Sequence, residues 1–358
     1  MIAKQVNSMT AKQRAKDAHK KVAGVITDQL KRGVRPWQKP WTSEGVLMDG
    51  LPIRASTGSQ KIPYKGINVW SLMYYKSSND FKSDEWGTFD FWKKQGTKHA
   101  IKQGNYEVVK KKDGSTWKKP TIYYGVKKGE GSFPVIFFQQ KSYTNEVEDE
   151  RTGDKTRETR TVWIQKFFMV FNKSQTGLPI PKKKKPTKKE AEKAKTDAEN
   201  LLDDIIKENS IDFREGGASA FYNMASDFIK VPNRKQFKTL TGRCATISHE
   251  MAHWTGHPDR LNRDMSGRFG SEDYAYEELV AEMSASMMCI ALGIEDTSIE
   301  ENMENHAAYM KSWLKAIKDA KDDGQRFIFS ASSKAQKVCE FLLPEYFGVE
   351  QKGDDKDE

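Results

Sequence analysis

The residues of this chain best suited to chemistry crowd into Ser248–Asp259, "SHEMAHWTGHPD", where three of the six histidines surround one glutamate. His249-Glu250-Met251-Ala252-His253 is an HExxH. Residues four apart share one face of a helix, so both imidazoles project together and can hold one divalent ion. Glu250 points alongside them, toward the position that a three-ligand catalytic site leaves open. There a carboxylate can take a proton from water. Zn²⁺ suits such donors, and Mn²⁺ is accepted by the same set when supply favours it.

A site of this kind needs a third protein ligand, and the residues leave several open. "YAYEELVAEMSASMMCIALG" reads as a helix ending at Gly293, with Glu278 and Glu282 at i and i+4 on one face; Glu277 is turned about 100° away. Asp259 is the rival, because His249, Glu250, His253, Gly256 and Asp259 also spell HExxHxxGxxD. His257 has no place in either scheme; it caps the helix, sits in a polar loop or donates to a substrate oxyanion. His306, in "ENHAAYMKSWLKAI", lies on an ordinary amphipathic helix.

The HExxH must itself be helical. In "FKTLTGRCATISHEMAHWTG" the residues Leu240, Cys244, Ile247 and Met251 form an apolar stripe, and Gly256 supplies a stop. The chain around it has 358 residues, which predicts two domains. Residues 1–189 carry 39 Lys+Arg against 17 Asp+Glu, a balance of +22. The remainder holds 60−39 = 21 against 50−17 = 33, a balance of −12. Seven of the nine tryptophans fall in the basic half. Three widely spaced cysteines offer no disulfide framework and point to a reducing compartment. No signal peptide or long apolar span is present, so the expectation is a soluble cytoplasmic protein without membrane partners.

Between the halves, "LPIPKKKKPTKKEAEKAKTDAEN" predicts an extended basic linker over 177–189 and a helix from near Glu190. A localisation signal is the alternative to a solvated linker that also touches phosphates. This sets a domain at 1–176, the linker, a second domain at 190–349 and a disordered acidic tail at 350–358.

The basic half opens with an amphipathic helix over Ala15–Leu30, stopped near Gly33. In "GVRPWQKPW" the prolines hold the backbone extended and display Trp37 and Trp41 beside Arg35 and Lys39. A further loop carries Tyr64 and Lys65 before an apolar helix. Beyond Glu107, "YEVV", "TIYYGV", "FPVIFF" and "KFFMVFN" read as strands, with "TNEVEDERTGDKTRETR" as a hairpin tip. Exposed aromatics among cations suit single-stranded DNA, because rings stack on bases while lysines neutralise phosphates. Arg35, Trp37, Lys39, Trp41, Tyr64 and Lys65 are the candidate contacts, whereas Trp70, Phe137, Phe138, Phe167 and Phe168 read as core.

The pairing of the HExxH with the "EELVAE" helix resembles the thermolysin-like arrangement. That resemblance makes Glu278 the third ligand and Glu282 the carboxylate that orients a ligating histidine. Taken together, "GVRPWQKPW", "GINVWSL", "HWTGHPDRLNR", "YAYEELVAEMSA" and the stretch Asp322–Gln336 resemble the ArdC-type antirestriction proteins of plasmids and phages, over about Ala15–Leu343. The resemblance implies an α+β chain with a small N-terminal domain that binds single-stranded DNA, joined to a mainly helical zincin-like metallopeptidase domain. It also implies protection of incoming DNA from host restriction. The insertion at 144–160, the long lysine-rich linker and Asp259 depart from the family pattern, but the HExxH and the two helix glutamates do not. Three functions compete. The first is a DNA-tethered peptidase acting on a host protein, the second a DNA-protecting protein with a non-catalytic metal site, and the third a module of a replication or primase assembly. An intact Glu250 favours the first, since a structural zinc has no use for a general base.

Overall fold

The computed structural model describes residues 10–33, 50–58, 61–148, 155–182, 187–268, 271–294, 311–315, 317–318 and 324–348. Arg35, Trp37, Lys39, Trp41, His306 and the tail at 350–358 lie outside the described residues.

The first helix, α1 (Ala11–Lys31), starts earlier than its apolar spacing predicts because the Thr10 hydroxyl accepts from the Gln13 N–H. Gly33, at φ +75°, follows its end. Short strands β1 (Ile53–Arg54) and β2 (Ile62–Pro63) lead to α2 (Ile67–Ser78), β3 (Glu85–Thr88) and α3 (Phe89–Lys102). A separate hairpin pairs β4 (Tyr106–Lys110) with β5 (Thr116–Pro120), and a long ribbon pairs β6 (Phe133–Glu148) with β7 (Lys155–Asn172). The main sheet runs β2-β1-β3-β7-β6, parallel only between β1 and β3. Asn68 of α2 pins the helix to this sheet, donating to the Ile136 carbonyl at 2.7 Å and accepting from the Ile136 N–H at 2.9 Å.

Three expectations for this half are corrected. "TIYYGV" forms no strand; Gly177 donates instead to the carbonyls of Tyr124 and Gly125, and α3 packs so closely that a Cβ on Gly96 would lie 2.6 Å from the Gly125 nitrogen. Tertiary packing overrides strand propensity there. The polar insertion is mostly ladder, with paired strands reaching Glu148 and Lys155 and Thr144 facing Thr159 hydroxyl to hydroxyl at 3.2 Å. Trp70 is core as expected, but Phe138 and Phe168 are 56% and 41% exposed, because the ribbon runs on past the elements that bury Val135 and Ile136.

The second half begins with α4 (Lys188–Glu208), two residues before Glu190, where Thr187 and Glu190 close a reciprocal capping box. A small sheet absent from the sequence reading follows: β8 (Asp212–Glu215), β9 (Phe221–Asn223) and β10 (Phe228–Val231), ordered β8-β10-β9. Then come α5 (Leu240–Trp254), α6 (Glu272–Ala291), α7 (Gln325–Leu342) and the single turn α8 (Pro344–Phe347).

One apolar cluster runs through both halves, from Val22, Ile26 and Leu30 of α1 to Ile328, Ala335 and Val338 of α7. The His19 and Phe329 rings lie 4.9 Å apart, and the Gly66 N–H donates to Gln336 Oε1 at 3.1 Å. The halves therefore pack on each other as well as being joined by the 177–189 segment, whose Leu178 is itself tucked against a buried cluster with Trp92. All three cysteines are free and buried. No helix among the described residues is long and apolar enough to cross a membrane.

Candidate metal centre

Two helices build the centre. In α5, Thr239 caps the start by accepting from Gly242, and Cys244, Ile247 and Met251 are buried as the stripe predicts. Arg243 fixes its other side, donating to Glu199 of α4 at 2.8 Å and to Glu215 of β8 at 2.9 Å. Helix α6 begins at a Ser271 cap, with Glu272 and Asp273 in its positive first turn. The packing of α5 against α6 brings His249, His253 and Glu278 together, with one ligand atom from each lying within 4.8 Å of the others.

Nε2 of His249 and Nε2 of His253 are 3.0 Å apart. Two ligands of a tetrahedral ion at 2.0–2.1 Å would stand about 3.3 Å apart. The Glu278 carboxylate faces both, at 3.4 Å from His249 and 3.5 Å from His253. Burial works against charge here, yet the group charges win. For His249, burial lowers the pKa, but the hydrogen bond and charge of Glu278, with Glu250 and Glu282, lift it to about 9. For Glu278, burial raises the pKa, but His249 and His253 bring it down to about 2. Two nitrogens and a carboxylate oxygen held face to face fit a divalent ion well. Glu250 is buried beside them; desolvation raises its pKa, opposed by both histidines and by a backbone hydrogen bond from Tyr222.

The outer partners go beyond expectation. Glu282 is buried and its charge acts on His249, whose Nδ1 has no hydrogen-bond partner among the described residues. Glu277 takes an orienting position, with Oε1 3.3 Å from Nδ1 of His253. The turn of 100° that seemed to remove Glu277 carries it to the far edge of the His253 ring. Arg263 holds it there through contacts of 2.7–3.2 Å, and also donates to the Thr255 hydroxyl at 2.8 Å and to the Ala252 carbonyl. Gly256 fits tightly beneath this arginine: a Cβ would lie 2.9 Å from the His253 carbonyl oxygen and 3.0 Å from Arg263 Nη2, and would displace the Met265 side chain. The pair "EE" at 277–278 and the second arginine of "DRLNR" were the signals for this arrangement.

Asp259 is not among the gathered donors: its side chain is 86% exposed and turned to His257, whose Nδ1 accepts from the Asp259 N–H. His257 is thereby a loop partner. Among the expected DNA contacts, Tyr64 is 3% exposed, with its hydroxyl 3.5 Å from the Trp86 carbonyl, so its ring is core and not a stacking platform. Lys65 donates to Glu340 of α7 at 2.6 Å, between the two halves.

Comparison with known proteins follows the same division. Residues 16–171 match the N-terminal domain of the anti-restriction factor ArdC, and residues 200–334 match a zincin-like metallopeptidase domain. The metal-free crystal structure of the antirestriction ArdC protein from the R388 plasmid is 28% identical, covers 93% of this chain and 99% of its own, and superposes with a TM-score of 0.58. Its Mn(II)-bound form is similar at 26% identity, the same coverage and a TM-score of 0.57. The DNA primase TraC of Escherichia coli is 31% identical over 92% of this chain, which spans only 27% of that primase. Two domain matches in the ArdC order and a match to ArdC along nearly the whole chain assign this protein to the ArdC-type antirestriction family.

Proposed function

We propose that this protein holds single-stranded DNA with its basic half and cleaves a protein of the host with its acidic half, within the bacterial cytoplasm. The observation that carries the reading is the convergence of His249, His253 and Glu278, with Glu250 buried alongside. His249, His253 and Glu278 would hold the ion, Zn²⁺ on donor chemistry, with Mn²⁺ as the substitute that the R388 relative carries. Bound there, the ion would supply Lewis acidity to a peptide carbonyl and to water. Glu250 accepts the proton from the attacking water on a carboxylate oxygen and returns it to the leaving amine, a role suited to a carboxyl whose pKa is raised by burial. Glu277 and Arg263 keep His253 in register. Glu282, one turn along α6 from Glu278, adds negative charge that favours a cation.

Incubation of metal-loaded protein with host lysate, with and without single-stranded DNA, tests this reading when new N-termini are mapped. Cleavage by the wild type and none by Glu250→Gln is expected; identical N-termini from both proteins would refute the peptidase. A second reading, an accessory module in a replication assembly, draws on the similarity to TraC. It predicts stable capture of replication proteins without cleavage.

A further inference from the structure

The basic half contains a cavity of about 360 Å³ that the metal centre does not use. Phe91, Trp92 and Leu178 give it apolar walls, and Gln95, Lys98 and Lys102 line the side formed by α3. That volume is at the low end of the range of about 300–1,000 Å³ for small-molecule sites, so it admits one aromatic ring with its substituents and not a folded chain.

The charges around it are unequal. Glu85, the one carboxylate of the lining, is already paired with Lys173 at 2.9 Å. Lys98 and Lys102 are exposed, and neither has a carboxylate partner among the described residues. They stand four apart on one face of α3, so both ammonium groups serve the same rim. Their place in the last turns suits the helix dipole, but the dipole does not select this face over another. Floor and walls are rigid: Trp92 is buried with its Nε1 donating to the Phe171 carbonyl at 2.9 Å, and Phe91 lies edge-on to it at 5.1 Å. Pro179, three residues before Lys182 in the chain, forms part of the lining.

An apolar aromatic wall, one amide and two uncompensated cations within one nucleotide's volume match a phosphorylated base. We propose that this cavity is a nucleotide subsite for single-stranded DNA, with a base against Phe91, which the buried Trp92 backs, and its phosphate between Lys98 and Lys102. The assignment rests on the DNA-binding reading above and adds its location. It also accounts for how this half can grip a strand although Tyr64 is buried.

The test uses the full-length protein and a labelled oligothymidylate of about 20 nucleotides, titrated over a range of salt. Losing both lysines from that phosphate should flatten the slope of log K against log[salt] by about 0.7 and weaken binding by about fivefold near 0.1 M salt. Lys98→Ala/Lys102→Ala should show that loss with an unchanged melting temperature, since both side chains are exposed. Lys127→Ala/Lys128→Ala, the same charge change on exposed residues outside the lining, should lose less than about threefold. Thymidine 5′-monophosphate should displace the oligonucleotide from the wild type at lower concentration than inorganic phosphate of equal ionic strength. Equal losses in the two double variants, or equal competition by phosphate, would overturn the subsite while leaving DNA binding intact. No binding by the wild type would remove the DNA-binding reading and the subsite with it.

Discussion

Glu277 Oε1 lies 3.3 Å from Nδ1 of His253, on the opposite edge of the ring from the Nε2 that faces His249 and Glu278. Adjacent glutamates on one helix thus divide the work: Glu278 faces the donor cluster, and Glu277 fixes the tautomer and angle of a donor.

Glu277→Ala should weaken metal binding by about 10–100-fold, the usual effect of losing a carboxylate that orients a ligating histidine. It should also destabilise the metal-free protein by about 3–5 kcal/mol, since Arg263 would be left buried without its charge partner. Calorimetric metal titration and thermal melts separate the two effects. Unchanged metal affinity would show that His253 is held by its helix alone.

The pKa shifts fix the direction of a pH effect. The folded-state value of about 9 for His249 lies above its ordinary 6.5, so in the metal-free protein its stabilising contribution is complete below pH 6.5 and is lost as pH rises through 9. Glu278, at about 2 against 4.5, contributes above pH 4.5 and loses its contribution as pH falls through 2. A metal must displace the His249 proton, so its affinity should rise about tenfold per pH unit between 6.5 and 9, with proton release. A flat affinity profile over that window would contradict the assignment.

Gly256→Ala tests the loop beneath the centre. A Cβ there meets Met265 Sδ, and the His253 carbonyl at 2.9 Å, so the loop must shift at a cost of about 1–3 kcal/mol. Melting temperature and metal affinity should fall together, because the same loop carries Arg263.

A fragment ending at Lys189 should melt well below the intact chain. It would expose the face of α1 that packs on α7, including the His19–Phe329 contact. Full-length protein should unfold in one transition; two independent transitions would mean that the shared core contributes little.

Much of the centre was legible because helical spacing converts sequence directly into geometry. His249 and His253 share a face by counting residues, and the apolar stripe Cys244–Ile247–Met251 shows which face of α5 is inward. Glu277 escaped because its role depends on the crossing of α5 and α6, which no local pattern encodes. Tyr64 failed for a similar reason: a tyrosine among lysines reads as exposed until the fold sets it against Phe137 and the Trp86 carbonyl. The sheet β8–β10 was missed because its strands are three or four residues long, too short for alternation to register. The inner part of the ribbon was legible as "FPVIFF" and "KFFMVFN", whereas its outer part, within 144–160, was read as a hairpin tip because it is polar on both faces and carries no core pattern.

The most direct test of the metal centre is equilibrium metal content in wild type, Glu278→Ala and Asp259→Ala after dialysis against buffered Zn²⁺. The geometry predicts close to one ion per chain in wild type and in Asp259→Ala, and loss from Glu278→Ala. Retention of the ion by Glu278→Ala, with loss from Asp259→Ala, would contradict the three-donor centre built from α5 and α6.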